Sequence, residues 1–142
     1  MTITNESATT AAAYAETAAV AAVPNKIVAA WTKHDAAAFA DTFTPDGTMV
    51  LPGLYLKGRE AIKNYMAAAF NGPYKGTQVT GAPIDLRFIN PDTAVAITAG
   101  GVLGNGQTEL ADSEWVRAIW VIARQDGKWQ LAAYQNSPRD AA

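Results

Sequence analysis

Apolar residues recur at helical spacing through the first half of the chain and alternate with polar ones through most of the second. Residues 11–22 are rich in alanine, the strongest helix former. Pro24 predicts an interruption, with a second helix over 24–33 that carries the proline in its first turn. Val20, Val23, Ile27 and Trp31 fall three or four apart across that point and make one apolar stripe. Asp35 is placed to cap a short helix over 36–43, in which Phe39 and Phe43 stand one turn apart. Thr44-Pro45-Asp46-Gly47 reads as a turn, followed by a small hairpin of 48–51 and 54–57 around Pro52-Gly53. Beyond Gly58, the residues Ile62, Tyr65, Met66, Ala69 and Phe70 share one helical face, and Asn71-Gly72-Pro73 ends that helix.

From Thr77 the pattern is that of strands. Asn90-Pro91-Asp92, Asn105-Gly106 and Asp126-Gly127 separate four of them, and the last two dipeptides suit tight hairpins. Two-residue loops at these points set Ile119 opposite Tyr134, Trp120 opposite Ala133 and Arg117 opposite Asn136. One face then carries Ile84, Leu86, Phe88, Val95, Ile97, Val116, Ala118, Trp120, Ile122, Trp129 and Leu131. The other carries Asp85, Arg87, Thr98, Ser113, Arg117, Gln130 and Asn136. An antiparallel sheet commonly buries one face, so the apolar side belongs against the helices. The expected fold is α+β, a curved antiparallel sheet wrapped around three helices as a cone with an internal pocket.

Composition narrows the functions open to such a fold. The 142 residues suit one domain, read as an alanine-rich helical lead-in over 1–22 and the domain proper over 23–142. With 49% hydrophobic and 17% charged residues, the chain is not of the disordered kind. A formal charge of −2 and no Lys/Arg cluster give no reason to expect nucleic acid. No run of about 18 apolar residues exists to span a membrane. The N-terminus lacks an opening Lys or Arg and carries Glu6 and Glu16, so it does not read as a secretory signal, and a cytoplasmic protein is expected. Cysteine is absent and His34 is the single histidine, which argues against a metal site. No nucleophile elbow, phosphate loop or dinucleotide fingerprint occurs, so no cofactor is expected.

In the two-residue-loop register Gln135 faces inward beyond Trp129, Leu131 and Ala133, while Asp112 and Glu114 face inward on the neighbouring strand. Small Ala133 opposite Trp120 leaves room beside the indole. Trp31, Phe39, Tyr65 and Trp120 then wall a flat apolar pocket, with neutral hydrogen bonds from Gln135, and from Asn136 if the strand end twists inward. Two readings stay open for several of these groups. Glu114 is either an inward base or a solvated loop residue, and His34 either a base or a helix-end cap. Trp120 and Trp129 are either ligand wall or core. One β-bulge is enough to exchange the faces.

Several segments also resemble a known family. Ala30-Trp31 with His34-Asp35, Phe43-Thr44-Pro45-Asp46-Gly47-Thr48, Gly58-Arg59-Glu60-Ala61-Ile62, Asp126-Gly127-Lys128-Trp129 and Ala133-Tyr134-Gln135-Asn136-Ser137-Pro138 are similar to the SgcJ/EcaC-type branch of the NTF2-like superfamily, relatives of the SnoaL-like polyketide cyclases. Leu51-Pro52-Gly53 and Gly100-Gly101-Val102 look most like members from enediyne antibiotic pathways. The resemblance covers nearly the whole chain from about Val20. It implies an NTF2-like cone, commonly a homodimer, acting on hydrophobic polyketide-derived metabolites. Two functions follow as expectations: a cofactor-free binder of such an intermediate, or an isomerase, cyclase or dehydratase using Glu114 or His34 as acid/base.

Overall fold

The helical half of the chain winds into α1 (Thr2–Thr32), α2 (Ala36–Asp41) and α3 (Arg59–Phe70) in the computed structural model, which describes residues 2–140. The strands are β1 (Phe43–Leu51), β2 (Leu54–Lys57), β3 (Gln78–Asn90), β4 (Thr93–Leu103), β5 (Val116–Gln125) and β6 (Lys128–Pro138). They form one curved, unclosed sheet in the order β2-β1-β6-β5-β4-β3, antiparallel throughout except for the β1–β6 pair. The expected cone is present.

α1 does not break at Pro24, contrary to the expected interruption. An interior proline removes one helical hydrogen bond and costs about 3 kcal/mol. Val20, Val23, Ile27 and Trp31 are all buried along the same stripe, and burying each such side chain contributes roughly 1.5–3 kcal/mol. Together they outweigh the proline, and one helix runs across residues 22 and 23. Glu16 ties it further to the sheet: its Oε2 accepts from Trp129 Nε1 at 2.7 Å and pairs with Arg124 Nη1 at 2.9 Å.

Asp35 caps α2 as its position predicts, its Oδ1 accepting from Ala38 N at 3.0 Å. Residues 44–47 are a bulge within β1 rather than a turn before it, since the β1–β6 register shifts between Phe43 and Thr48. α3 buries Ile62, Met66, Ala69 and Phe70, the face its periodicity marks.

Four departures from two-residue loops and unbroken ladders rearrange the sheet faces. β3 and β4 pair Asn90 with Thr93 but Phe88 with Ala94, so Ile89 is an extra residue. β4 and β5 are joined by a long excursion over 104–115 in place of a tight hairpin, although Gln107 N does donate to Gly104 O across Asn105-Gly106. Both changes reverse β4: Ala94, Ala96 and Thr98 face inward, and Val95 and Ile97 face outward. Ile84 sits at a second β3 bulge, 58% exposed. In β6 the partners are Ile122–Leu131 and then Val121–Ala133, so Ala132 is an extra residue. Beyond it Trp120 faces Tyr134, not Ala133; Ile119 faces Gln135; and Arg117 faces Ser137. β3 and β5 otherwise point as expected, with Leu86, Ala118, Trp120 and Ile122 inward.

Candidate ligand cavity

A cavity of about 340 Å³ lies between α1, α3 and the concave face of β3–β6. Its far end is aromatic. Trp31 meets Phe39 edge-on at 6.3 Å between ring centroids, Phe70 at 5.3 Å and Tyr74 at 4.7 Å. Trp120 stands on the sheet side, edge-to-face with Tyr134 at 4.7 Å. Met49, Met66, Leu131 and the small residues Ala96 and Ala118 complete the inner lining. Toward α1 and β3 the lining reaches Pro24, Asn25 and Val28 on one side and residues 79–83, Asp85 and Leu86 on the other.

The polar groups on this lining are mostly neutral and mutually bonded. Trp120 Nε1 donates to Thr98 Oγ1 at 2.9 Å, and Asn136 Nδ2 donates to Tyr134 Oη at 3.0 Å. Burial holds the Tyr134 hydroxyl above the usual tyrosine range, partly offset by its bond to Asn136. Tyr74 is raised as well, by burial first and then by Tyr65 beside it. Both phenols therefore stay protonated at neutral pH. Asp85 borders the lining, but it stands opposite outward-facing Ile97, and its half-exposed carboxylate pairs with Arg87 Nη1 at 3.2 Å on the convex side of the sheet.

The structure brings some of the expected site residues together and not others. Trp31, Phe39, Trp120 and Asn136 line the cavity. Tyr65 is half-buried behind it, beside Tyr74. Gln135 is exposed on the convex face, because the Ala132 bulge turns Tyr134 and Asn136 inward in place of Ala133 and Gln135. Glu114 is not on a strand: it is exposed in a short 3₁₀ turn (Asp112–Glu114), where its Oε1 accepts from Gln107 Nε2 at 2.6 Å and Ala111 N at 2.8 Å. Asp112 lies in the same exposed turn. His34 ends α1 with φ 50°, stacks on Phe70 at 5.0 Å and bonds through Nε2 to Thr77 O at 2.7 Å. A carbonyl only accepts, so Nε2 carries the proton. Together with the bond from Trp31 Nε1 to Thr77 Oγ1 at 3.1 Å, this fixes the end of α1 to the start of β3. Neither Glu114 nor His34 reaches the cavity lining.

Thr98, Tyr134, Tyr74 and Asn25 line the cavity without having been expected there from the sequence. Tyr74 carried a signal, an aromatic directly after the helix-ending Asn71-Gly72-Pro73, where the chain crosses the cone. Thr98 and Tyr134 carried none, because their direction depends on bulges that leave no mark in residue type.

Six curved strands over three helices make a cystatin-like, NTF2-type fold. A family model described as a SnoaL-like domain matches residues 12–135, and the chain belongs to that family. Among solved structures, a domain of unknown function with a cystatin-like fold from Nostoc punctiforme is 27% identical, with 89% of this chain and 79% of that one covered at a TM-score of 0.83. An NTF2-like protein from Novosphingobium aromaticivorans is 17% identical, covering 95% and 89% at 0.82. The hexachlorocyclohexane dehydrochlorinase LinA-type3 from Novosphingobium barchaimii is 18% identical, covering 89% and 88% at 0.72. A comparison with curated protein sequences returns no match. No helix among the described residues is long and apolar enough to cross a membrane.

Proposed function

We propose that the protein binds a hydrophobic, polyketide-derived intermediate of secondary metabolism, of the enediyne-pathway kind its sequence resembles, and holds it in the cone without a cofactor or metal. The observation that carries this reading is the lining itself: aromatic walls, small floor residues and neutral hydrogen-bonding groups, with no Lys, Arg or His among them. A phosphate or sugar phosphate needs cationic or helix-terminal donors directed at it. A flat polycycle or polyene needs apolar area, which is what these walls supply. The volume lies at the small end of ligand sites, suited to a compact ring system. Titration with aromatic polyketides and linear polyenes is expected to quench tryptophan fluorescence saturably, unchanged by a chelator. Absence of saturable quenching by either class, or its loss on chelation, would contradict the reading.

The acid/base alternative lacks a carboxylate aimed into the cavity among the described residues: Asp85 borders the lining, but it shares the outward face with Ile97 and Arg87. General acid–base catalysis needs such a group within reach of the ligand. Recovery of unchanged ligand after incubation supports binding. Conversion of the ligand to a new product supports an isomerase, cyclase or dehydratase.

The convex face supports a homodimer. Ile97, Ile119 and Val121 form an apolar centre on it, with Ile119 40% exposed and the other two half-buried. A sheet face left in water does not ordinarily carry such a patch. Light scattering at micromolar concentration is expected to give twice the chain mass, and Ile119→Asp to return it to one. A monomer mass for the native protein would rule the dimer out.

A further inference from the structure

Two hydroxyl groups on the cavity wall have had their oxygens, but not their protons, engaged by the protein. Across the inner face of the sheet, Ala96, Trp120 and Tyr134 form one row of directly opposed residues, and Thr98, Ala118 and Asn136 form the next. Thr98 Oγ1 accepts from Trp120 Nε1, and Tyr134 Oη accepts from Asn136 Nδ2. Indole N–H and amide NH₂ groups only donate, so each of these contacts leaves the hydroxyl with its single proton unspent. Neither proton meets an acceptor among the described residues. Accepting one hydrogen bond also polarises an O–H toward donating the next. Between the two hydroxyls the floor is Ala118, whose small side chain leaves the space above it to a ligand.

The geometry points to a carbonyl oxygen as the polar end of the ligand, received by the hydroxyl protons of Tyr134 and Thr98 above Ala118. This rests on the reading of the cavity as a site for an apolar molecule, and names the functional group that orients that molecule. A ketone or quinone oxygen offers two lone pairs and no proton, which matches two donors. An alcohol must also place a proton of its own, and a hydrocarbon leaves both donors unpaired. Burial keeps the Tyr134 phenol protonated, so the donor persists across the neutral range. Trp120 would then serve twice, as an aromatic wall and as the group that sets the Thr98 hydroxyl in its donating role.

Fluorenone, fluorenol and fluorene share one rigid ring system and differ only at the oxygen, and their binding by equilibrium dialysis separates the cases. Tyr134→Phe and Thr98→Val are each expected to weaken fluorenone about tenfold, the usual value of one hydrogen bond, while leaving fluorene unchanged. Thr98→Ser should restore the native affinity. The carbonyl stretch of bound fluorenone should lie at lower frequency in the native protein than in Tyr134→Phe. Equal effects on fluorenone and fluorene, a native preference for fluorenol, or an unshifted carbonyl band would overturn the proposal while leaving an apolar site intact. Failure of all three probes to bind the native protein would remove the cavity reading and the proposal together.

Discussion

Trp120→Ala is expected to lower the affinity for flat polycyclic ligands by about a hundredfold, on the scale of an aromatic anchor in a binding site. The indole is 7% exposed, lines the cavity and stands edge-on to Tyr134 at 4.7 Å. Its removal takes away a ligand wall and frees the Tyr134 ring to move. It also leaves the Thr98 hydroxyl without its donor. Trp120→Phe keeps a ring but not the N–H, so it should lie between alanine and the native residue. Titration of both variants under conditions where circular dichroism shows them folded checks this. Equal affinities in native and alanine proteins would place the ligand elsewhere.

Gly100→Ala is expected to destabilise the fold by about 3 kcal/mol, at the upper end of the cost of overpacking, and to lower the melting temperature by roughly 10 °C. Gly100 pairs with Gly81 where β4 and β3 come close together. A Cβ on Gly100 would stand 2.6 Å from Gly81 Cα and nearer still to Thr80 O. Those are backbone atoms, which cannot turn aside as a side-chain tip can. The strands would have to part on the cavity wall. Gly104→Ala is the control, since its Cβ would meet only Gln107 Oε1, at an ordinary contact distance of 3.4 Å, and it should change stability by less than about 0.5 kcal/mol. Thermal melts of the two variants side by side give the comparison, and equal melting temperatures would contradict the close approach.

The contrast between what the sequence shows and what it hides follows from the kind of signal involved. Helix faces and hairpin turns are written in side-chain type. Ile62, Met66 and Phe70 mark the buried face of α3; Asp35 marks a cap; Pro52-Gly53 and Asp126-Gly127 mark turns, with Gly53 at φ 75° and Gly127 at φ 74°. Inward and outward directions along a strand depend instead on an unbroken count from the turn. The extra residue in β6 is Ala132, next to Ala133, and alanine is at home on either face. Tyr134 and Gln135 therefore exchange places with no cost visible in the sequence. Asn105-Gly106 does form its turn, but the chain then leaves the sheet as far as Val116, so Glu114 never enters a strand. Pro24 misleads in the opposite sense, since a local rule about helices yields there to the burial of Val20, Val23, Ile27 and Trp31. The aromatic members of the site were legible because they are large and apolar. Its polar members, apart from Asn136, were not.

The space between α1 and the concave face of the sheet is proposed to hold a hydrophobic small molecule. A crystal structure of the protein grown with an aromatic polyketide tests it most directly. Density for the ring system is expected between Trp31 and Trp120, with an oxygen of the ligand within hydrogen-bond distance of Tyr134 Oη or Thr98 Oγ1. A cavity filled only by ordered water, with the ligand absent or bound on the convex face, would contradict it.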